Sequence, residues 1–235
     1  MASSTKTTTS TVEWELADTY EEAAAVIARV GILPLSSLFP EHPSLESITR
    51  REAWHTGLAT DPWLWRDRFA GEGVAAYGRF MAKKPILADA ALFPLLQAAL
   101  QPAKGLRSRY ADGLVSKDML RIYDIVEGHE GVDVRELRRA SGLQDKESKK
   151  RFDAALIELQ STGDIVISGI SDRLNDQGVK SGWNSTCYML ATQWMARHGL
   201  EPVHMDRTSA RNELLARFGE VSREAAVQKL DKLLR

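Results

Sequence analysis

Residues 116–128 are SKDMLRIYDIVEG, and they open the stretch from Ser116 to Ala191 that decides the fold. Their apolar side chains recur at helical spacing, Ser116 can cap the helix, and Gly128 can end it. A second short helix is predicted from Asp133 to residue 140, ended by a left-handed Gly142. A third helix is expected to open at Asp145 and to stop at residue 163. Its predicted buried face consists of Phe152, Ala155, Leu156 and Leu159.

The pattern then changes to that of β-strands. Residues 165–167 are Ile-Val-Ile, polar and Gly-bearing residues fill positions 171–185, and a second strand is predicted at residues 186–191. Three helices followed by a two-stranded hairpin with a long tip is the order of a winged helix-turn-helix. We therefore predict a mostly α-helical protein with small β-hairpins, in which this winged helix is joined to a helical, Trp-rich N-terminal half.

Basic side chains cluster on the third helix and in the predicted wing. Helix-turn-helix folds commonly place the helix after the turn in the DNA major groove, so these cations are candidates for contacts with double-stranded DNA. The predicted DNA-binding residues are Lys146, Lys149, Lys150, Arg151, Arg173 and Lys180. Winged helices also serve as protein–protein modules, and a lysine-bearing helix face is often only solvated. Docking of another protein is therefore the alternative.

Composition limits the possible functions. The chain of 235 residues is 43% hydrophobic and 27% charged, which is typical of a soluble globular protein. Its net charge of −1 means that any DNA binding must come from a local basic patch. Cys187 is the only cysteine, so an intrachain disulfide or a thiolate metal cluster is impossible. We predict a cytoplasmic protein with no metal, no cofactor and no membrane-spanning segment.

Changes in composition predict five segments. These are a disordered Ser/Thr-rich tail (1–12), a helical Trp-rich domain (13–103), a basic linker (104–113), the winged-helix domain (114–193) and C-terminal helices (194–235). Asp18 with Glu21 is the predicted capping box of the first helix, and Ser222 is the predicted cap of the last. The C-terminal helices are amphipathic, so they either pack on the N-terminal half or form a homodimer contact.

Two further elements are predicted in the N-terminal half. Residues 32–34 are a short apolar run whose proline argues against a central strand, so we expect an extended connector buried on the core. An apolar helix is predicted over residues 89–100, and Asp61-Pro62 is a predicted helix start.

Three tryptophans fall within a dozen residues, interleaved with charged side chains. One interpretation is a packed helical core in which the indoles are buried. The other is a pocket or stacking surface for a nucleic-acid base. Its candidate residues are Trp54, His55, Asp61, Trp63, Trp65 and Arg66. One histidine among scattered carboxylates does not predict a metal site.

Several motifs resemble those of a known family. They are WHTG at 54–57, DPWLWR at 61–66 and YGRF at 77–80, followed by the predicted winged helix. With these motifs the chain resembles the AlkZ-related bacterial proteins over about residues 17–193. It is similar to, but shorter than, the AlkZ/YcaQ-like winged-helix DNA glycosylases. The resemblance implies a DNA-binding scaffold connected with DNA repair.

The same resemblance raises the question of catalysis. In those glycosylases, which excise alkylated or crosslinked bases, a helix ends in a glycine. One or two apolar residues follow, and then a Gln-x-Gln or Gln-x-Asp catalytic pair. The matching stretch here is GILPLS at 31–36, which puts Pro34 and Ser36 at the catalytic positions. Proline offers no side-chain hydrogen bond, and an unassisted serine is a poor general base. The resemblance therefore implies the scaffold without this mechanism. The alternatives are an active glycosylase that uses the Trp54/His55/Asp61 region, and a protein-interaction module.

Overall fold

The computed structural model describes residues 14–172 and 184–235. Within these ranges the helices are α1 (Tyr20–Val30), α2 (Pro62–Gly71), α3 (Phe93–Leu100), α4 (Leu106–Ala111), α5 (Lys117–Gly128), α6 (Val134–Ala140), α7 (Lys149–Ser161), α8 (Ala191–Arg197), α9 (Arg207–Val221) and α10 (Glu224–Leu233). The strands are β1 (Ile32–Pro34), β2 (Ala75–Met81), β3 (Lys84–Asp89), β4 (Val132–Asp133), β5 (Ile165–Ser171) and β6 (Ser185–Leu190). A short 3₁₀ turn covers Arg51–Ala53.

All six strands join one antiparallel sheet in the order β1-β3-β2-β5-β6-β4. The prediction of a mostly α-helical winged-helix protein is therefore wrong. The described residues are 48% helix and 15% strand, which is a mixed α/β fold. The hairpin of β5 and β6 is not a free wing, since β5 also pairs with β2 through Tyr77 and Ile167, and β6 also pairs with β4.

The sequence pattern did not predict the hairpin of β2 and β3, and the reason is physical. Apart from Arg79, every residue of β2 is buried, so the strand lacks the alternation of a half-exposed strand. Its turn residues, Ala82 and Lys83, have φ values of 51° and 58°. Turns of this kind normally contain Asn-Gly or Asp-Gly, so the usual hairpin motif is missing. The segment at 32–34, predicted as a connector, is the edge strand β1, and an edge strand tolerates proline. The helix predicted from residue 89 begins only at Phe93.

Side-chain caps begin five of the ten α-helices in the described residues. The caps predicted at Ser116 and Asp133 are confirmed, because their side chains accept backbone N–H groups of the first turn. Helix α7 begins at Lys149 rather than at Asp145, whose carboxylate instead accepts the N–H and hydroxyl of Ser148 in a preceding turn.

Two other predicted caps were wrong. The capping box of α1 consists of Thr19 and Glu22, one residue later than predicted. The N-cap of α10 is Arg223, and the hydroxyl of Ser222 contacts His42 instead.

The sheet separates two hydrophobic cores. Alternate residues such as Tyr77 and Ile165 point to the first core, with α1, α2, α5 and α7. Their neighbours Ala76 and Val166 point to the second core, with α3, α8, α9 and α10. The apolar faces of α9 and α10 are therefore buried within the chain, and a homodimer through these helices stays a prediction.

The proposed division into domains also stays a prediction. The segment predicted as a linker contains α4, whose Arg109 forms a buried ion pair with Asp164 at 2.6 Å. The predicted tail falls outside the described residues. Among those that are described, no helix is long and apolar enough to cross a membrane.

Candidate nucleic-acid interface

A cleft of about 610 Å³ opens between the chain that follows β1 and the start of α2. It is lined by Leu35, Ser36, Glu46, Arg51, Trp54, His55 and Trp63. The backbone N–H of Glu46 donates to the carbonyl of Leu35 at 2.9 Å, which holds these two wall segments together. The fold thus brings Ser36 and the Trp-rich segment, which were singled out separately in the sequence, to one site.

Aromatic rings form one wall of this cleft. The rings of His55 and Trp63 are 4.7 Å apart, and those of Trp54 and His55 are 6.2 Å apart. The indole N–H of Trp54 donates to the Thr49 hydroxyl at 2.9 Å, which orients the ring. The guanidinium of Arg66 lies 3.3 Å from the centre of the Trp63 ring. The rings are tilted by 54–60° to one another, and these contacts hold a partly exposed aromatic surface that can pack against other π systems.

Asp61 builds the turn that carries this surface. Its side chain is 1% exposed and accepts the backbone N–H groups of His55, Gly57 and Trp63 at 2.9–3.0 Å. His55 and Gly57 have φ values of 61° and 73°, so the turn needs these bonds to hold a left-handed histidine. Burial raises the pKa of Asp61, but the three N–H donors lower it more, and the net pKa lies below the ordinary value. Asp61 is therefore an ionised structural anchor.

The remaining predicted pocket residues point elsewhere. Trp65 is buried in the first core, where its indole N–H donates to the Ala59 carbonyl at 2.7 Å. Arg66 stacks on Trp63 and has its Nε 3.3 Å from the Asp67 carboxylate. Of the six candidates, Trp54, His55 and Trp63 line the cleft.

Two charged residues of the cleft were missed by sequence reasoning. Glu46 and Arg51 are isolated charges in loop sequence, and no motif distinguishes them from solvated surface residues. Within the part of the chain that the structure describes, the side chains of Ser36, Glu46 and Arg51 form neither a hydrogen bond nor an ion pair. The cleft therefore offers a hydroxyl, a carboxylate and a guanidinium whose hydrogen-bonding capacity is unused.

A second candidate surface lies at the start of α7. Lys149 and Lys150 are exposed in its first turn, and Lys146 is exposed in the turn before it. The first turn contains no acidic residue, so it does not neutralise these cations. Arg151 differs, because its Nε lies 3.4 Å from the Asp118 carboxylate. The other two predicted DNA contacts, Arg173 and Lys180, fall outside the described residues.

Metal chemistry has no geometric support at either surface. Over residues 14–172 and 184–235, no group of three or more His, Cys, Asp or Glu residues is placed to hold a metal ion.

Comparison with known proteins identifies the family of this chain. No curated protein and no solved structure is significantly similar to the chain. A family model described as AlkZ related matches residues 17–235, which extends the predicted resemblance through the C-terminal helices. The matched range includes the aromatic cleft and the basic start of α7. Because the match covers nearly the whole sequence, the chain belongs to the AlkZ-related family.

Proposed function

We propose that this protein binds double-stranded DNA and acts in DNA repair. The observation that carries the proposal is the group of three exposed lysines, Lys146, Lys149 and Lys150, which have no anionic partner among the described residues. Cations of this kind bind phosphates and release the counterions condensed on DNA, which gives affinity to a protein of net charge −1. Membership of the AlkZ-related family supports the connection with repair.

The aromatic cleft has the chemistry needed to hold a base taken out of the duplex. Proteins that act on or inspect bases stack the extruded base on aromatic side chains and read its edge with hydrogen bonds. Trp54, His55 and Trp63 supply the stacking surface, and the unused donors and acceptors of Glu46 and Arg51 are available to the base edge. We propose this cleft as the base-binding site.

The stretch at 31–36 supports the proposal that this chain lacks the catalytic pair of the AlkZ/YcaQ-like glycosylases. Pro34 is buried in β1 next to Ile86, and Ser36 has no basic partner to activate its hydroxyl. We therefore propose recognition of DNA without excision of alkylated or crosslinked bases.

One observation favours the alternative of an active glycosylase. Glu46 places a carboxylate in the cleft, and a carboxylate can take a proton from water as the water oxygen bonds to the sugar C1′ and the base departs. In this alternative the acting carboxylate is Glu46, because Asp61 is already occupied by three backbone N–H groups.

Fluorescence anisotropy at two salt concentrations tests duplex binding. Replacing Lys149 and Lys150 by alanine is expected to weaken binding at least about tenfold at low salt and to flatten the salt dependence by roughly one to two units. The matched control replaces Lys229 and Lys232, two exposed lysines of α10, and removes the same charge. Equal affinities of the α7 variant and the parent would show that this helix does not contact DNA, and would favour docking of another protein.

Single-turnover assays on methylated and crosslinked duplexes test for catalysis. We expect no alkali-labile abasic product from the parent protein. Product that disappears in Glu46→Gln but persists in Ser36→Ala would establish the glycosylase alternative.

A further inference from the structure

One large apolar side chain projects from the turn beside the aromatic cleft. Leu58 is 62% exposed, although burial of a leucine is favourable. It lies three residues after His55 and five before Trp63, whose rings are in contact in the cleft wall. Its Cα is thus no more than about 11 Å from that of His55.

Hydrogen bonds hold this leucine in place. The carbonyl of Leu58 accepts the N–H of Asp61 at 3.0 Å, and its own N–H donates to the Thr56 hydroxyl oxygen at 3.3 Å. The Thr56 hydroxyl in turn donates to the Ala53 carbonyl at 3.1 Å. Together with the three bonds to the Asp61 carboxylate, these contacts make the turn a rigid support. An ordered, exposed leucine on such a support is suited to insertion into a partner.

The turn that carries Leu58 exposes no charge that would repel a polyanionic partner. Asp61, the one acidic residue from 54 to 62, is buried and occupied by backbone donors, so the turn exposes no negative charge. Arg51 lies in the adjacent cleft and forms no ion pair with a described residue. The same cleft holds the unpaired carboxylate of Glu46, and Arg66 is already paired with Asp67. A duplex fits this surface, because it offers phosphates to Arg51 and an apolar gap between base pairs to the leucine.

We propose that Leu58 is a wedge that enters the base stack of duplex DNA where a base has left the helix. Proteins that bend DNA or flip bases insert leucine, phenylalanine and similar side chains in this way, and the inserted group replaces lost stacking. The inference rests on the proposed function, since it requires the protein to bind DNA. It adds a defined role for the turn: Leu58 fills the gap in the stack while the neighbouring cleft holds the displaced base.

A duplex with one tetrahydrofuran abasic residue tests the wedge directly. Its gap exists in advance, so the wedge can enter without extrusion of a base. The parent protein is expected to bind this duplex about tenfold more tightly than the intact one, the gain expected from burying a leucine side chain. Leu58→Ala should remove most of this preference and leave binding to the intact duplex within about twofold.

Two matched variants make the test specific. Leu58→Met keeps an apolar wedge and should retain the preference, whereas Leu114→Ala, which truncates a leucine that is 68% exposed elsewhere, should leave it unchanged. The proposal is overturned if the parent binds both duplexes equally, or if Leu58→Ala retains the full preference. Failure of the proposed function gives a different result, since the parent would then bind neither duplex.

Discussion

Replacing Asp61 by alanine tests how the aromatic surface is built. The substitution removes the N-cap of α2, which costs about 0.5–2 kcal/mol, and also two further bonds from N–H groups to a carboxylate. Such charge-assisted bonds contribute about 1.5–3 kcal/mol each, and the lower end applies because residues 55–60 are exposed and water can reach their N–H groups once the buried carboxylate is removed. We expect the free energy of unfolding to fall by about 3.5–5 kcal/mol.

Asp61→Asn is expected to cost less, about 1–2 kcal/mol. Its amide oxygen can still accept the N–H groups of His55 and Trp63, which share Oδ1 in the parent. Its amide nitrogen then faces the N–H of Gly57, the partner of Oδ2. Urea unfolding followed by circular dichroism measures both variants. Asp206→Ala removes an exposed N-cap of α9 and is the control for an ordinary cap. A loss below about 0.5 kcal/mol in Asp61→Ala, typical of a neutral surface change, would refute this account of the turn.

The stability difference between the parent and Asp61→Asn should depend on pH, and the lowered pKa of Asp61 fixes the direction of the change. The folded-state pKa of Asp61 lies below the ordinary value of 3.8, so its stabilising contribution is complete above that pH. The contribution is lost as the pH falls through the lower, folded-state pKa. The stability difference between parent and Asp61→Asn should therefore stay constant near neutrality and shrink in acid below pH 3.8. A difference that instead grew in acid would contradict the lowered pKa.

Three further predictions concern stability. Leu156→Ala opens a cavity in the first core and should lower the unfolding free energy by about 2–5 kcal/mol in urea titrations; an effect below about 0.5 kcal/mol would place that face of α7 in solvent. Gly73→Ala should cost about 1–2 kcal/mol, because φ is +74° there and the added methyl meets the His198 ring; unchanged thermal unfolding would refute the strain. His42 contacts the Ile32 carbonyl and the Ser222 hydroxyl, and its pKa is lowered by burial, so the parent should lose stability below pH 6.5; a His42→Asn variant with the same pH slope would exclude this histidine as a cause.

The sequence by itself determined the features that depend on near neighbours. The caps at Ser116 and Asp133 and the start of α2 at Asp61-Pro62 need only a side chain and the N–H groups two or three residues away. The motifs at 54–57, 61–66 and 77–80, taken with the predicted winged helix, likewise indicated the AlkZ-related family, and the family match confirms it. The sequence therefore indicated that the Trp-rich segment is a candidate site. It did not show which of the six candidate pocket residues line the cleft and which are buried or paired elsewhere.

The tertiary structure decided what depends on distant contacts. Strand β2 forms because the sheet buries both its faces, and its Ala- and Gly-containing sequence has no strong β preference of its own. The pairing of β2 with β5 makes the sheet continuous and turns the expected wing into interior strands. The cleft likewise exists because residues 34–35 and 45–46 are hydrogen-bonded together beside Trp63. Glu46 and Arg51 became candidates only because the fold brings their segments together at the cleft. The local sequence around a charged loop residue does not show whether its side chain faces solvent or a cleft.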